Sequence, residues 1–135
     1  MIFMSLTGPA QKRLCASAAG LLALASVTFA QSSPSDTRPY DDKLLRLSEI
    51  LGAVHYLREL CGANDGQLWR DRMKELMDTE GSSALRRAKL TRSFNNGYRS
   101  YSRTYNTCSA SAQTAVTRFL AEGAEIASTL AKTAP

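Results

Sequence analysis

From Leu44 to Leu130 the apolar residues recur at steps of three and four, and no segment alternates at the step of two that a half-buried strand requires. That periodicity constrains the fold more than any other feature, because only helices then have an apolar face to bury. Gly62-Ala63-Asn64-Asp65-Gly66, Gly81-Ser82-Ser83 and Cys108-Ser109 interrupt the pattern and divide it into four segments. The spacing predicts an all-α chain, a small bundle of about four amphipathic helices with short connections.

The first helix is predicted to open at Asp41-Asp42, whose charges suit the positive end of a helix dipole. Leu44, Leu47, Ile50, Leu51, Val54, Leu57 and Cys61 share one face, and Gly62 supplies the stop. Arg58 falls inside that face, where an arginine snorkels, meets an acid or, less commonly, serves an anion site. His55 sits at the stripe's edge and reads as a packed surface histidine rather than a base. Asn64 with Gln67 resembles a capping box for the second helix, whose apolar side is Leu68, Trp69, Met73, Leu76 and Met77, with Arg72 among them. Ser82-Ser83 is placed to cap a third helix running to about Asn106, and Ser109 or Ser111 a fourth. The fourth stripe is Ala112, Val116, Phe119, Leu120, Gly123, Ile126, Ala127 and Leu130, with Arg118 and Glu122 as an i, i+4 pair outside it. Gly123 and the alanines permit close approach to a neighbour.

The N-terminus gives an address. Lys12 and Arg13 precede an apolar run from Leu14 to Val27, and Thr28-Phe29-Ala30 supplies small residues before Gln31. This is the layout of a secretory signal peptide over 1–30; the competing reading is an uncleaved anchor. Cys15 lacks the small residues expected ahead of a lipidated cysteine. Residues 31–40, polar with two prolines, read as a flexible linker, and 41–135 as the helical domain. The exported chain then keeps two cysteines, Cys61 and Cys108, which in an oxidising compartment read as one disulfide. Two free thiols or a metal pair are the rival readings. His55 is the only histidine and nothing else resembles a ligand set, so neither a metal site nor a cofactor is predicted.

Charge is distributed unevenly. Removing Lys12 and Arg13 leaves 15 − 12 = +3. Residues 36–80 hold ten acids and seven bases, while 81–135 hold two acids and eight bases. Such asymmetry implies an anionic partner, or pairing between the two halves, with Asp71, Glu75, Asp78 and Glu80 meeting the third helix. Within the acid-free stretch from Phe94 to Cys108, Phe94, Tyr98, Tyr101 and Tyr105 fall on one stripe at about 100° per residue. Arg92, Asn96, Arg99 and Arg103 fall on the opposite stripe. In a continuous helix the aromatics are core and the arginines a solvated face. A shared groove for Tyr98 and Arg99 would need a helix break at Asn95-Asn96-Gly97.

Tyr56-Leu57-Arg58-Glu59-Leu60-Cys61, Trp69-Arg70 with Met73, and Phe94-Asn95-Asn96-Gly97-Tyr98-Arg99 leading to Tyr105-Asn106-Thr107-Cys108 resemble a family of short exported alphaproteobacterial proteins. That family has two well-separated cysteines and a largely unassigned function. The resemblance covers about 42–131 and implies a periplasmic location, a Cys61–Cys108 bridge and an association with envelope growth, with peptidoglycan as ligand. It brings no catalytic residues.

The functional expectation is a non-enzymatic periplasmic module that binds peptidoglycan or scaffolds envelope growth. The candidate ligand-binding residues are Tyr98, Arg99, Arg103, Arg58 and Arg72. Tyrosine faces pack on sugar rings, and arginine forks take carboxylates bidentately. An inhibitor or chaperone-like module on an acidic envelope protein is the alternative. A wall-modifying enzyme ranks third: it needs paired carboxylates or a nucleophile and base, and the acids here fall on solvated faces and turns. Export argues against nucleic acid. No membrane span is expected after cleavage, and oligomeric state is left open.

Overall fold

A computed structural model describes residues 36–133. The expected leader and residues 31–35 of the expected linker lie outside the described residues. Four helices follow in order: α1 Asp41–Leu60, α2 Leu68–Glu80, α3 Ala84–Thr104 and α4 Ala110–Thr133. The described residues contain no strand, and none of their helices is long and apolar enough to cross a membrane.

α1 is the hub. It packs against α2, α3 and α4, while the backbones of α2 and α4 nowhere approach within 8 Å of each other. Its expected apolar face is buried, with Leu57 0%, Val54 1%, Ile50 2% and Leu44 2% exposed. The opposite side is buried too: Ser48, Gly52, Ala53 and His55 are covered. A single stripe therefore underestimates this helix, because α3 lies across the side that periodicity assigned to solvent. Ser48 satisfies its buried hydroxyl by donating to the Leu44 carbonyl, 2.9 Å away.

Backbone proximity explains that covering. At the α1–α3 crossing a Cβ built on Gly52 would lie 1.9 Å from the Phe94 carbonyl oxygen, and one on Gly97 2.0 Å from that of Glu49. Only glycine on both helices permits this approach. Gly97 thus serves packing, and α3 runs through Asn95-Asn96-Gly97 without a break. On the α4 side the approach is looser, a Gly123 Cβ meeting Ile50 Cγ2 at 3.3 Å.

Two apolar clusters result. One joins Ile50, Val54 and Leu57 to Val116 and Phe119 of α4; the other joins Leu44 and Leu51 to Met73, Leu90, Phe94 and Leu130. Cys61, just past α1, is bonded to Cys108, just before α4, with Cα atoms 4.8 Å apart. Closing the loop between cysteines 47 positions apart stabilises the fold by about 4 kcal/mol in the chain-entropy picture.

The helix ends hold some surprises. Gly62 takes φ 72°, letting the chain leave α1. Ser83 Oγ accepts from Arg86 N at 3.1 Å, and Ser109 Oγ from Ala112 N at 3.2 Å, as the sequence suggests. No Asn64–Gln67 capping box forms: Gln67 is the N-cap and makes no side-chain cap bond. Asp65 organises that turn, accepting from Trp69 Nε1 at 2.8 Å and from both arms of Arg58. Glu122 does not pair with Arg118; the Arg46 fork of α1 takes it at 2.7 and 3.0 Å.

The described half of the expected linker is fastened. Ser82 and Ser83 donate to the Asp36 carboxylate, and the Tyr40 hydroxyl donates to Glu80 at 3.1 Å. Arg86, 4% exposed, is the buried arginine of the fold. It donates to the Glu80 and Asp36 carbonyls and lies 2.6 Å from Asp41 Oδ1 and 3.5 Å from Glu80 Oε2.

Candidate functional site

The aromatic stretch of α3 turns inward. Phe94 is buried in the core. Tyr98 stands edge-on to Tyr56 with ring centres 5.3 Å apart, and 5.7 Å from His55. Tyr101 lies parallel to Tyr105 at 6.2 Å and edge-on to Phe119 at 5.0 Å. The Tyr56 hydroxyl donates to the Tyr105 carbonyl. With α3 unbroken, Tyr98 and Arg99 point to different environments, as expected of a continuous helix, and the shared groove that required a break at Asn95-Asn96-Gly97 does not form.

The four candidate arginines separate into two kinds. Arg58 donates through Nε and Nη2 to the two oxygens of Asp65, at 2.6 and 2.8 Å. This fork and, next, the Trp69 indole hold the Asp65 carboxyl down to about 2. Arg58 has met its acid, as the commoner reading of its position implied. Arg72 donates to Glu75 one turn on, 2.9 Å away, on the exposed side of α2. Arg99 and Arg103 are exposed. Arg103 Nε donates to the Arg99 carbonyl at 3.1 Å, and among the described residues neither is ion-paired to an acid.

Lys89, Arg92 and Asn96, also exposed, share their stripe. From Lys89 to Arg103 this row runs about 21 Å at the helical rise. The expected neutralisation of α3 by α2 is realised at one end alone: Arg86 meets Glu80 and Arg87 meets Asp78, each at 3.5 Å. No other acid of α2 pairs with α3 among the described residues, and the row is left to solvent.

Two further features escaped the sequence. His55, 5% exposed, accepts at Nε2 from Arg70 Nε, 2.9 Å away. Burial first, and then the Arg70 charge, push its pKa below the ordinary value. The other is an apolar cleft of about 630 Å³ between α2 and α4, floored by Leu47, Ile50, Leu51 and Val54 of α1. Its existence follows from the α2–α4 separation, which no periodicity in either helix reports.

A family described as "Protein of unknown function (DUF2385)" matches residues 39–133. The chain belongs to that family. The DUF2385 match begins at Pro39 and ends at Thr133, so it takes in the whole four-helix unit together with the fastened Tyr40. It agrees in extent with the expected resemblance and in the family's unassigned function. No curated protein and no solved structure matches the chain.

Proposed function

We propose that this chain is a non-enzymatic binding module of the periplasm, exported by its leader, that holds an anionic envelope polymer against α3. Peptidoglycan is the polymer that fits best. The observation that carries this reading is the exposed row Lys89, Arg92, Arg99 and Arg103, unpaired with acids among the described residues, while Arg46, Arg58, Arg72, Arg86 and Arg87 are each ion-paired to at least one acid. Arginine forks take carboxylates of lactyl groups and stem peptides in bidentate geometry, and asparagine at position 96 adds an amide between them. The contact falls to Arg99 and Arg103. Arg58 and Arg72 are spent on acids, and Tyr98 packs against α1 instead of facing a sugar ring.

Purified sacculi incubated with oxidised protein (31–135) across a salt series test this. Retention at moderate salt, lost in Arg99→Ala/Arg103→Ala with the helical circular dichroism unchanged, is the expected result. Equal retention of wild type and double variant removes these residues from the site. Retention that vanishes on modest salt addition marks a merely basic surface. A single acidic envelope protein cross-linked to α3 in place of the wall would move the row to a protein partner.

A further inference from the structure

The groove between α2 and α3 holds a cation of a different kind from the row. Arg70, Met73 and Met77 of α2 and Thr91, Phe94 and Asn95 of α3 enclose a pocket of about 170 Å³. Met73 and Phe94, 3% and 7% exposed, give it an apolar floor. On the surface of α3, Asn95 has Arg92 and Arg99 as neighbours three and four residues away, so the pocket lies beside the row.

Arg70 is set apart by the way it is held. Its Nε donates to His55 Nε2, 2.9 Å away, and only a neutral imidazole can accept there. The guanidinium is thereby oriented without being neutralised. Arg46, Arg58, Arg72, Arg86 and Arg87 are held by acids, whereas no acid is ion-paired to Arg70 among the described residues. Thr91 spends its hydroxyl proton on Met77 Sδ. The two Nη groups of Arg70 and the Asn95 amide make no hydrogen bond to another described residue.

Three properties select the ligand. One cation and no acid among the lining residues match a single negative charge, whereas a phosphate monoester, at about −1.5 to −2, would be left partly uncompensated. The apolar floor suits a small alkyl group next to that charge. The volume, below the roughly 300–1,000 Å³ of drug-sized sites, holds a short branch. We propose that this pocket binds the terminal carboxylate of a short peptide, with the carboxylate on the Nη groups of Arg70 and the Asn95 amide and a methyl-sized side chain on the Met73–Phe94 floor. This deepens the wall-binding reading and rests on it for the source of the peptide: the polymer lies along the row, and a stem peptide ending in alanine enters beside it.

Met73 and Met77 are the only methionines of residues 31–135, so methyl-labelled methionine reports on the pocket with two signals. The probe is N-acetyl-D-alanine, titrated through the millimolar range into oxidised protein (31–135) and followed by NMR, with N-acetyl-D-alaninamide and inorganic phosphate as comparisons. Saturable shifts of both methyl signals by the acid, and none by the amide or by phosphate, are expected. Arg70→Gln keeps a donor for His55 at an exposed position and removes the charge; it should weaken the probe about tenfold or more with circular dichroism unchanged. No shift with the acid, equal shifts with the amide or with phosphate, or unchanged affinity in Arg70→Gln would each overturn the proposal. Sacculus retention scored in parallel separates the two readings. Retention without probe binding removes the pocket and keeps the row, whereas probe binding without retention keeps the pocket and removes the wall as the source of its peptide.

Discussion

Gly97→Ala probes what holds α1 against α3. The new Cβ would lie 2.0 Å from the Glu49 carbonyl oxygen, 2.9 Å from its carbon and 3.0 Å from Ala53 N. All three are backbone atoms of α1, so no side-chain rotation relieves the clash and the helices must move apart. Overpacking of this kind costs about 1–3 kcal/mol, and a backbone obstacle places Gly97 at the upper end. Alanine returns up to about 1 kcal/mol of helix propensity, leaving a net loss of about 2 kcal/mol. In a domain of this size that corresponds to roughly 8–16 °C in Tm. Gly123→Ala is the control, since its Cβ meets only side-chain methyls, Ile50 Cγ2 at 3.3 Å and Leu47 Cδ1 at 3.8 Å, and its cost should stay within about 0.5 kcal/mol of zero. Urea titrations followed by circular dichroism measure both. If Gly97→Ala is as stable as wild type, propensity outweighs packing here and the glycine pair does not set the helix spacing.

The sequence displayed what depends on local order along the chain. Apolar steps of three and four gave the four helices, and Ser83 and Ser109 gave two of the caps. It hid what depends on which helix lies across which. Ser48 and Gly52 fall off the apolar stripe of α1, so nothing local announces that α3 buries them; the announcement is the pair Gly52 and Gly97, 45 residues apart. The fate of the arginines was hidden for the same reason. Arg58 and Arg86 both lie near apolar residues, but Arg58 is held by an acid in the adjoining turn, whereas Arg86 is buried because the segment ahead of α1 folds back over the α2–α3 corner. The α3 row is the converse case. Its stripe was legible, but its lack of acid partners among the described residues was not, because it depends on α2 pairing with α3 through Arg86 and Arg87 alone.

Removing the Arg86 guanidinium tests that corner. Arg86→Ala leaves Asp41 and Glu80 facing each other in a partly buried site and should cost about 3–5 kcal/mol, read as a lower urea midpoint; a loss under about 1 kcal/mol would show that water replaces the guanidinium there. His55 predicts a pH dependence whose sign follows from its surroundings. Burial and the Arg70 charge lower its folded pKa from the model-peptide 6.5, only partly offset by Glu59. The unfolded chain therefore binds the His55 proton more readily than the folded one, and stability must rise with pH wherever that difference persists. The contribution is complete above about 6.5 and is lost as pH falls through the lower folded value, where the imidazolium would also turn a hydrogen-bond donor toward Arg70. Urea midpoints between pH 7.5 and pH 5 should therefore fall more in wild type than in His55→Gln, which keeps a polar side chain and has no proton to gain. Parallel curves for the two proteins would mean that protonated His55 is accommodated without cost, by movement of the exposed Arg70 away from the ring.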